Sequence, residues 1–344
     1  MKRIITLLMA LCLSVSCIFA LSACKKNKET ATEVKTEVVY EIKKDDDKKE
    51  YAVVKKYSIS EADAKKIASG DYELQTLTIN EYDDGEKTLP VKEIESGAFS
   101  NQVIFNKIVI GSNVEKIGLG CFAGCVNLEE LTLPFVGESV DAVNSAKTLG
   151  CLFGSTEIDG ASAATVYHNS SASTTYYIPD SLKKVTVTGD VLSEYAFNGT
   201  AVKEVILSGA IDKIGEGAFA NMTAIGKITV PATVKTIGKR AFSKSAQLYK
   251  VDFAEGSKLE TIYSEAFLDC AKLGFGSNDV KIPSSVKKIY YATFKNCKSL
   301  TKIDLSATGI TELPGACFNG CEKLKNSEIK LPSSITLAPD SMPE

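Results

Sequence analysis

Tryptophan is absent from this 344-residue chain, histidine occurs once, and methionine occurs four times. With a single histidine, a Ser-His-Asp or Cys-His catalytic arrangement would have to use His168, and a zinc site lacks its commonest partners. His168 lies in a Ser/Thr-rich stretch that reads as a flexible loop. No H-E-x-x-H, P-loop, G-x-S-x-G or G-x-G-x-x-G string occurs, and Gly118-Leu119-Gly120 reads as turn punctuation. Neither sign of charge dominates: 40 Lys and Arg face 43 Asp and Glu, for a net −3. That balance excludes a generally basic nucleic-acid binder. Beyond residue 21 no apolar run is long enough to span a bilayer. The expectation is a chain with no catalytic site, no metal, no cofactor and no nucleic-acid partner.

What is present is a repeated pair. Ala98-Phe99, Ala196-Phe197, Ala218-Phe219, Ala241-Phe242 and Ala266-Phe267 carry it outright. Cys121-Phe122, Thr293-Phe294 and Cys317-Phe318 carry it with one change. Phe197 to Phe219 is 22 residues, Phe219 to Phe242 is 23 and Phe294 to Phe318 is 24. Such a period marks a solenoid. After each Phe comes an apolar residue and then an apolar-x-apolar alternation, as in Leu128 to Pro134, Leu248 to Phe253 and Leu300 to Leu305. The alternation reads as a short strand with one buried face. A second short segment follows, apolar-x-x-Ile, at Val114 to Ile117, Ile211 to Ile214, Val234 to Ile237 and Val286 to Ile289. One unit is too short to bury its own apolar side, so units must stack Leu on Leu, Ile on Ile and Phe on Phe. The 44% apolar content supports a long core. The fold expected is a β-rich solenoid of short strands and turns, stacked in a curved rod with little helix.

These units resemble the BspA-like leucine-rich repeat, with its I-x-x-I-G-x-x-A-F-x-x-C-x-x-L-x-x-I-x-L-P pattern. Glu115 to Pro134 and Val234 to Phe253 follow it, the latter with Ser245 in the Cys position, and the resemblance runs from about Val91 to Pro332. It implies a surface-displayed binding protein, an adhesin in some relatives. Lys2 and Arg3 precede an apolar run that closes on Leu21-Ser22-Ala23-Cys24. This has the form of a signal peptide. It also resembles a bacterial lipobox, which implies cleavage before Cys24, diacylglycerol on its sulfur and a membrane anchor through that lipid. The expected organisation is a signal peptide over 1–23, a flexible charged tether over 24–50 and a capping segment over 51–90. The solenoid follows over 91–344, with an insert at 135–178 and a degenerate C-terminal cap at 333–344. Within the cap segment, Ser60 to Ala68 reads as a helix with Ser60 as N-cap, and Leu74 to Ile79 as a strand.

Seven cysteines follow the lipobox: Cys121, Cys125, Cys151, Cys270, Cys297, Cys317 and Cys321. Four sit three residues after the repeat Phe, so their positions track the repeat. They read as buried thiols, or as disulfides if the compartment is oxidising.

Two places read as ligand-binding. One is the exposed strand face, where the residue just before the middle apolar one reads Lys107, Glu130, Lys184, Glu204, Lys227, Lys250 and Lys302. That column is either an ordinary solvated face or a locally basic surface for an extended or acidic partner. The other is the insert, where Tyr167, Tyr176 and Tyr177 would supply contact area at low entropy cost. The insert reads equally as a floppy loop outside the strand ladder. The function expected is non-enzymatic binding of a protein or glycan by a lipid-anchored, surface-exposed protein. Its partners would be host extracellular matrix or other bacteria. An envelope scaffold acting in the periplasm or wall is the alternative, and an enzyme accessory or inhibitor is a third.

Overall fold

A computed structural model describes residues 36–276 and 278–343. The signal peptide, Cys24 and the first part of the expected tether lie outside the described residues. The chain divides into two units. The first holds the residues up to Leu131 with Leu152–Ala163 and Tyr176–Leu182; the second holds Thr132–Cys151, Ala164–Thr175 and everything from Lys183.

In the first unit, strands β1 (Thr36–Lys44) and β2 (Glu50–Ile59) form an antiparallel pair. This corrects the expectation of a flexible tether to residue 50. The charged run at Lys43 to Lys49 is the hairpin turn: Lys48 is left-handed at φ 62°, and the Asp45 side chain accepts from the Lys49 N–H at 2.9 Å. Val38, Tyr40 and Ile42 alternate ahead of it, and pairing opposite the buried Tyr57, Val54 and Ala52 orders them. Helix α1 (Glu61–Ser69) starts where Ser60 accepts from the Asp63 N–H at 3.1 Å, and stops at Gly70, left-handed at φ 77°. Strand β3 (Gln75–Ile79) runs parallel to Phe105–Ile110, so the ladder begins before the first Ala-Phe pair.

In the second unit each repeat contributes two short strands and one turn. Lys184–Val187 pairs in parallel with Glu204–Leu207, Lys227–Val230 with Lys250–Phe253, and Val280–Lys281 with Ile303–Asp304 and then Ile329–Lys330. On the other side Lys213–Ile214, Thr236–Ile237, Thr261–Ile262 and Lys288–Ile289 form a four-stranded parallel ladder. The result is a β-rich leucine-rich repeat solenoid.

The Ala-Phe turn is itself a ladder. Phe219 donates its N–H to the Ala241 carbonyl at 2.7 Å, Phe242 to Ala266 at 2.8 Å, Phe267 to Thr293 at 2.9 Å and Phe294 to Cys317 at 3.0 Å. Stacking follows from that register: Phe219, Phe242 and Phe267 lie 5.2 and 5.1 Å apart with rings within 6° of parallel. The turn needs left-handed backbone twice. Two residues before each Phe, φ runs from 51° at Ala316 to 66° at Gly97; two residues after, from 57° at Asn221 to 75° at Gly124. Glycine and asparagine fill most of these positions because a Cβ raises the energy there.

The cysteine column has its own partner. Cys270 Sγ donates to the Phe242 carbonyl at 3.1 Å, Cys297 to Phe267 at 3.3 Å and Cys321 to Phe294 at 3.1 Å. Ser245 does the same to Phe219 at 2.6 Å. The seven cysteines are buried free thiols. Burial pushes Cys125 up to about 12, despite a backbone hydrogen bond that pulls the other way.

The insert is ordered rather than floppy. Ala161–Tyr167 and Ser173–Pro179 form a two-stranded hairpin, closed by a bond from the His168 N–H to the Ala172 carbonyl at 3.1 Å. Asn169 Oδ1 accepts from the Ser171 and Ala172 N–H groups at 2.9 and 2.8 Å, fixing the tip. Its strands pair only with each other, outside the repeat ladders, yet Val166 is fully buried, so the insert packs against the fold. At the C-terminus, Phe318 donates to the Ser341 carbonyl at 3.2 Å and Thr336–Leu337 pairs with Glu312–Leu313.

Candidate ligand-binding groove

The strand-face lysines are brought into one column, but not into a basic one. Lys227 sits beside Lys250, while Lys184 sits beside Glu204. The lengthened copy adds a rung at Val280, which places Asp279 before Lys302 and Glu328 after it. Lys250 is also paired with Asp252 at 3.0 Å. The column is therefore mixed rather than basic: Glu204 stands in it among the lysines, and the rung at Val280 adds a further acid.

The insert tyrosines separate by strand alternation. Tyr176 shares its face with Ile178 and is buried, so it offers no contact surface, contrary to expectation. Tyr177 is half-buried and Tyr167 is exposed.

Tyr167 lies at a concavity of about 340 Å³ in the second unit. The hairpin tip forms one wall, with Tyr167, Asn169 and Ser170. The turns of the Phe197, Phe219 and Phe242 repeats form the rest. Asn198, the residue after the repeat Phe, holds the two together. Its side-chain oxygen accepts from the Tyr167 N–H at 3.2 Å and its Nδ2 donates to the Gly217 carbonyl at 3.4 Å. Fully buried, it joins tip and turn in a way a hydrophobic residue could not.

The floor is Tyr195, two residues before Phe197 and left-handed at φ 60°. Its ring lies against Gly217, and its hydroxyl donates to Glu216 Oε1 at 3.0 Å. Burial and that carboxylate both push the phenol well above its ordinary value, so it stays neutral. The Lys147 ammonium stands 5.2 Å from the ring centroid and pairs with Glu194 at 3.4 Å. Arg240 lines the groove from the next left-handed position but one and is bound through its Nε to Glu265, which raises its affinity for its proton further. Lys244 lines it too, with no ion pair among the described residues.

Sequence reasoning found Tyr167 and missed Tyr195, Asn198, Arg240 and Lys244. A signal existed: Tyr195, Arg240 and Lys244 occupy positions that other copies give mostly to Gly, Asn, Asp or Ala. Among the described residues no cluster of His, Cys, Asp and Glu could hold a metal ion, and no helix is long and apolar enough to cross a membrane.

Comparison with known proteins follows the same repeat. The family model for the BspA type leucine rich repeat region matches in six copies, over residues 86–147, 190–275 and 257–342. Among solved structures, a leucine rich cell surface protein of Faecalibacterium prausnitzii is 21% identical, over 93% of this chain and 87% of that one, with a TM-score of 0.35. The pneumococcal vaccine antigen PcpA is 18% identical over 88% and 72%, with a TM-score of 0.43. A leucine-rich repeat protein of Bacteroides ovatus is 18% identical over 91% and 78%, with a TM-score of 0.36. No curated protein matches the chain.

Proposed function

The chain belongs to the BspA-type leucine-rich repeat family, and from that premise we propose that it is a non-enzymatic binding protein of the bacterial cell envelope, an adhesin for a protein or glycan. Its anchor is lipid on Cys24, supported by the Leu21-Ser22-Ala23-Cys24 string. Two or more acyl chains there hold a protein stably where one is marginal. Its ligand sits in the groove beneath the insert hairpin.

One observation carries the assignment. Where the repeat is interrupted, the inserted residues make a pinned hairpin over the turns, and the concavity under it is lined by aromatic, amide and cationic side chains. Insertions in repeat proteins map to one face, commonly the binding face. A concave site with a few convergent polar groups is the usual form of a ligand pocket. The regular strand face, with its alternating charges, offers nothing so local.

Protease shaving of intact cells, followed with an antibody to the repeat domain, tests the reading. An adhesin loses its domain while periplasmic and cytoplasmic markers survive. A domain that survives until the envelope is broken contradicts it and favours the envelope scaffold.

A further inference from the structure

Three features of the groove point to the chemistry of its ligand. The first is cationic. The Phe242 repeat alone places long cations at both left-handed positions, Arg240 at φ 55° and Lys244 at φ 62°. Each raises the local backbone energy relative to glycine. Both line the same groove, and no Asp or Glu lines it with them.

The second is polar. Ser243, between those cations, lines the groove and makes no side-chain hydrogen bond among the described residues. Its hydroxyl opens to the groove, where it can both donate and accept. The Asn221 amide, in the same groove, is likewise without a side-chain partner among the described residues. The third feature is aromatic: the exposed Tyr167 gives ring surface to a ligand that has an apolar face as well as polar edges.

Resting on the binding function proposed above, we infer that the groove recognises a sugar residue bearing a carboxylate, presented at the end of a glycan. The C–H face of such a ring packs on Tyr167. Its hydroxyls take Ser243 and Asn221, which can both donate and accept. Its carboxylate takes Lys244 and the guanidinium nitrogens that Arg240 does not spend on Glu265. A bare anion would use the cations and leave the ring and amide idle, and about 340 Å³ is more room than it needs.

The test is calorimetry and saturation-transfer NMR on the chain lacking residues 1–23, with N-acetylneuraminic acid and glucuronic acid as probes. Galactose, hexaglutamate and inorganic phosphate are the comparisons. An acidic sugar should bind at millimolar concentration or below, tenfold or more tighter than galactose, and phosphate should not displace it. Lys244→Asn should abolish binding while holding or raising the melting temperature, because Asn suits the left-handed backbone better. Ser243→Ala should weaken binding without unfolding. The inference is overturned if neither acidic sugar binds, if hexaglutamate binds and competes, if phosphate displaces the sugar, or if Lys244→Asn leaves affinity unchanged. None of these results bears on surface display, which the shaving experiment reads on cells.

Discussion

The ring of Tyr195 lies over Gly217, so close that a Cβ at position 217 would stand 2.7 Å from the ring's Cε1 carbon. One repeat's glycine thus makes room for the aromatic floor contributed by the repeat before it. Gly217 is also left-handed at φ 58°. Gly217→Ala should cost about 1–2 kcal/mol from the backbone alone and, beyond that, displace the ring. Thermal denaturation reads the first effect; a change in Tyr195 fluorescence or ring NMR shifts reads the second. An unchanged Tyr195 signal would contradict the packing described.

Asn198 should act on the hairpin tip. Asn198→Ala removes the acceptor for the Tyr167 N–H and the donor to the Gly217 carbonyl. Two bonds in a buried place predict a loss of about 1–3 kcal/mol. Hydrogen exchange should accelerate at Tyr167 first, ahead of the Phe-turn amides. Uniform acceleration across the repeats would show that Asn198 serves the solenoid in general.

The cysteine column predicts opposite outcomes for two substitutions. Cys270→Ser keeps a donor to the Phe242 carbonyl, as Ser245 shows one rung earlier, and should be nearly neutral. Cys270→Val removes that donor, leaving the carbonyl only its bond from the Ser245 N–H, and should lose about 0.5–1.5 kcal/mol. Equal destabilisation by both would mean that sulfur packing, rather than the hydrogen bond, holds the rung.

The same thiols give the fold an alkaline limit. Burial pushes Cys125 and Cys151 up to about 12, while an unfolded cysteine ionises near ~8.5. Between those values the unfolded chain binds fewer protons than the folded one, so stability falls as pH rises. It is whole below the unfolded value and is lost toward about 12, at about 1.4 kcal/mol per pH unit for each such thiol. Melts of the wild type and Cys125→Ser across that window should converge at neutral pH and diverge above it. Parallel curves would contradict the burial.

Much of this fold was legible because each repeat restates the same demand. Phe219, Phe242 and Phe267 stack with rings nearly parallel, so the period in the sequence is the period of the core. Irregular segments were less legible. The hairpin at Thr36–Lys44 hid behind the charges of its own turn, and its alternating Val38, Tyr40 and Ile42 became meaningful only beside β2. The rung at Val280 hid in a lengthened copy, and with it an acid beyond the Glu204 already legible in the column. For the groove, Tyr167 could be named from composition. Tyr176 could not be told from it, because which tyrosine faces inward depends on the phase of a strand not yet placed. Arg240 and Lys244 were hidden by their ordinariness as surface cations; their significance lies in the backbone they occupy.

The most direct test of the groove as the binding site compares beads carrying the chain without residues 1–23 in three forms: wild type, Lys244→Asn with Tyr167→Ala, and Lys227→Gln with Lys250→Gln. Each is counted on epithelial cells and on partner bacteria, with melts confirming that all three fold. The account predicts adhesion for the wild type and the strand-face variant, and its loss for the groove variant. Loss in the strand-face variant with adhesion retained in the groove variant would contradict it.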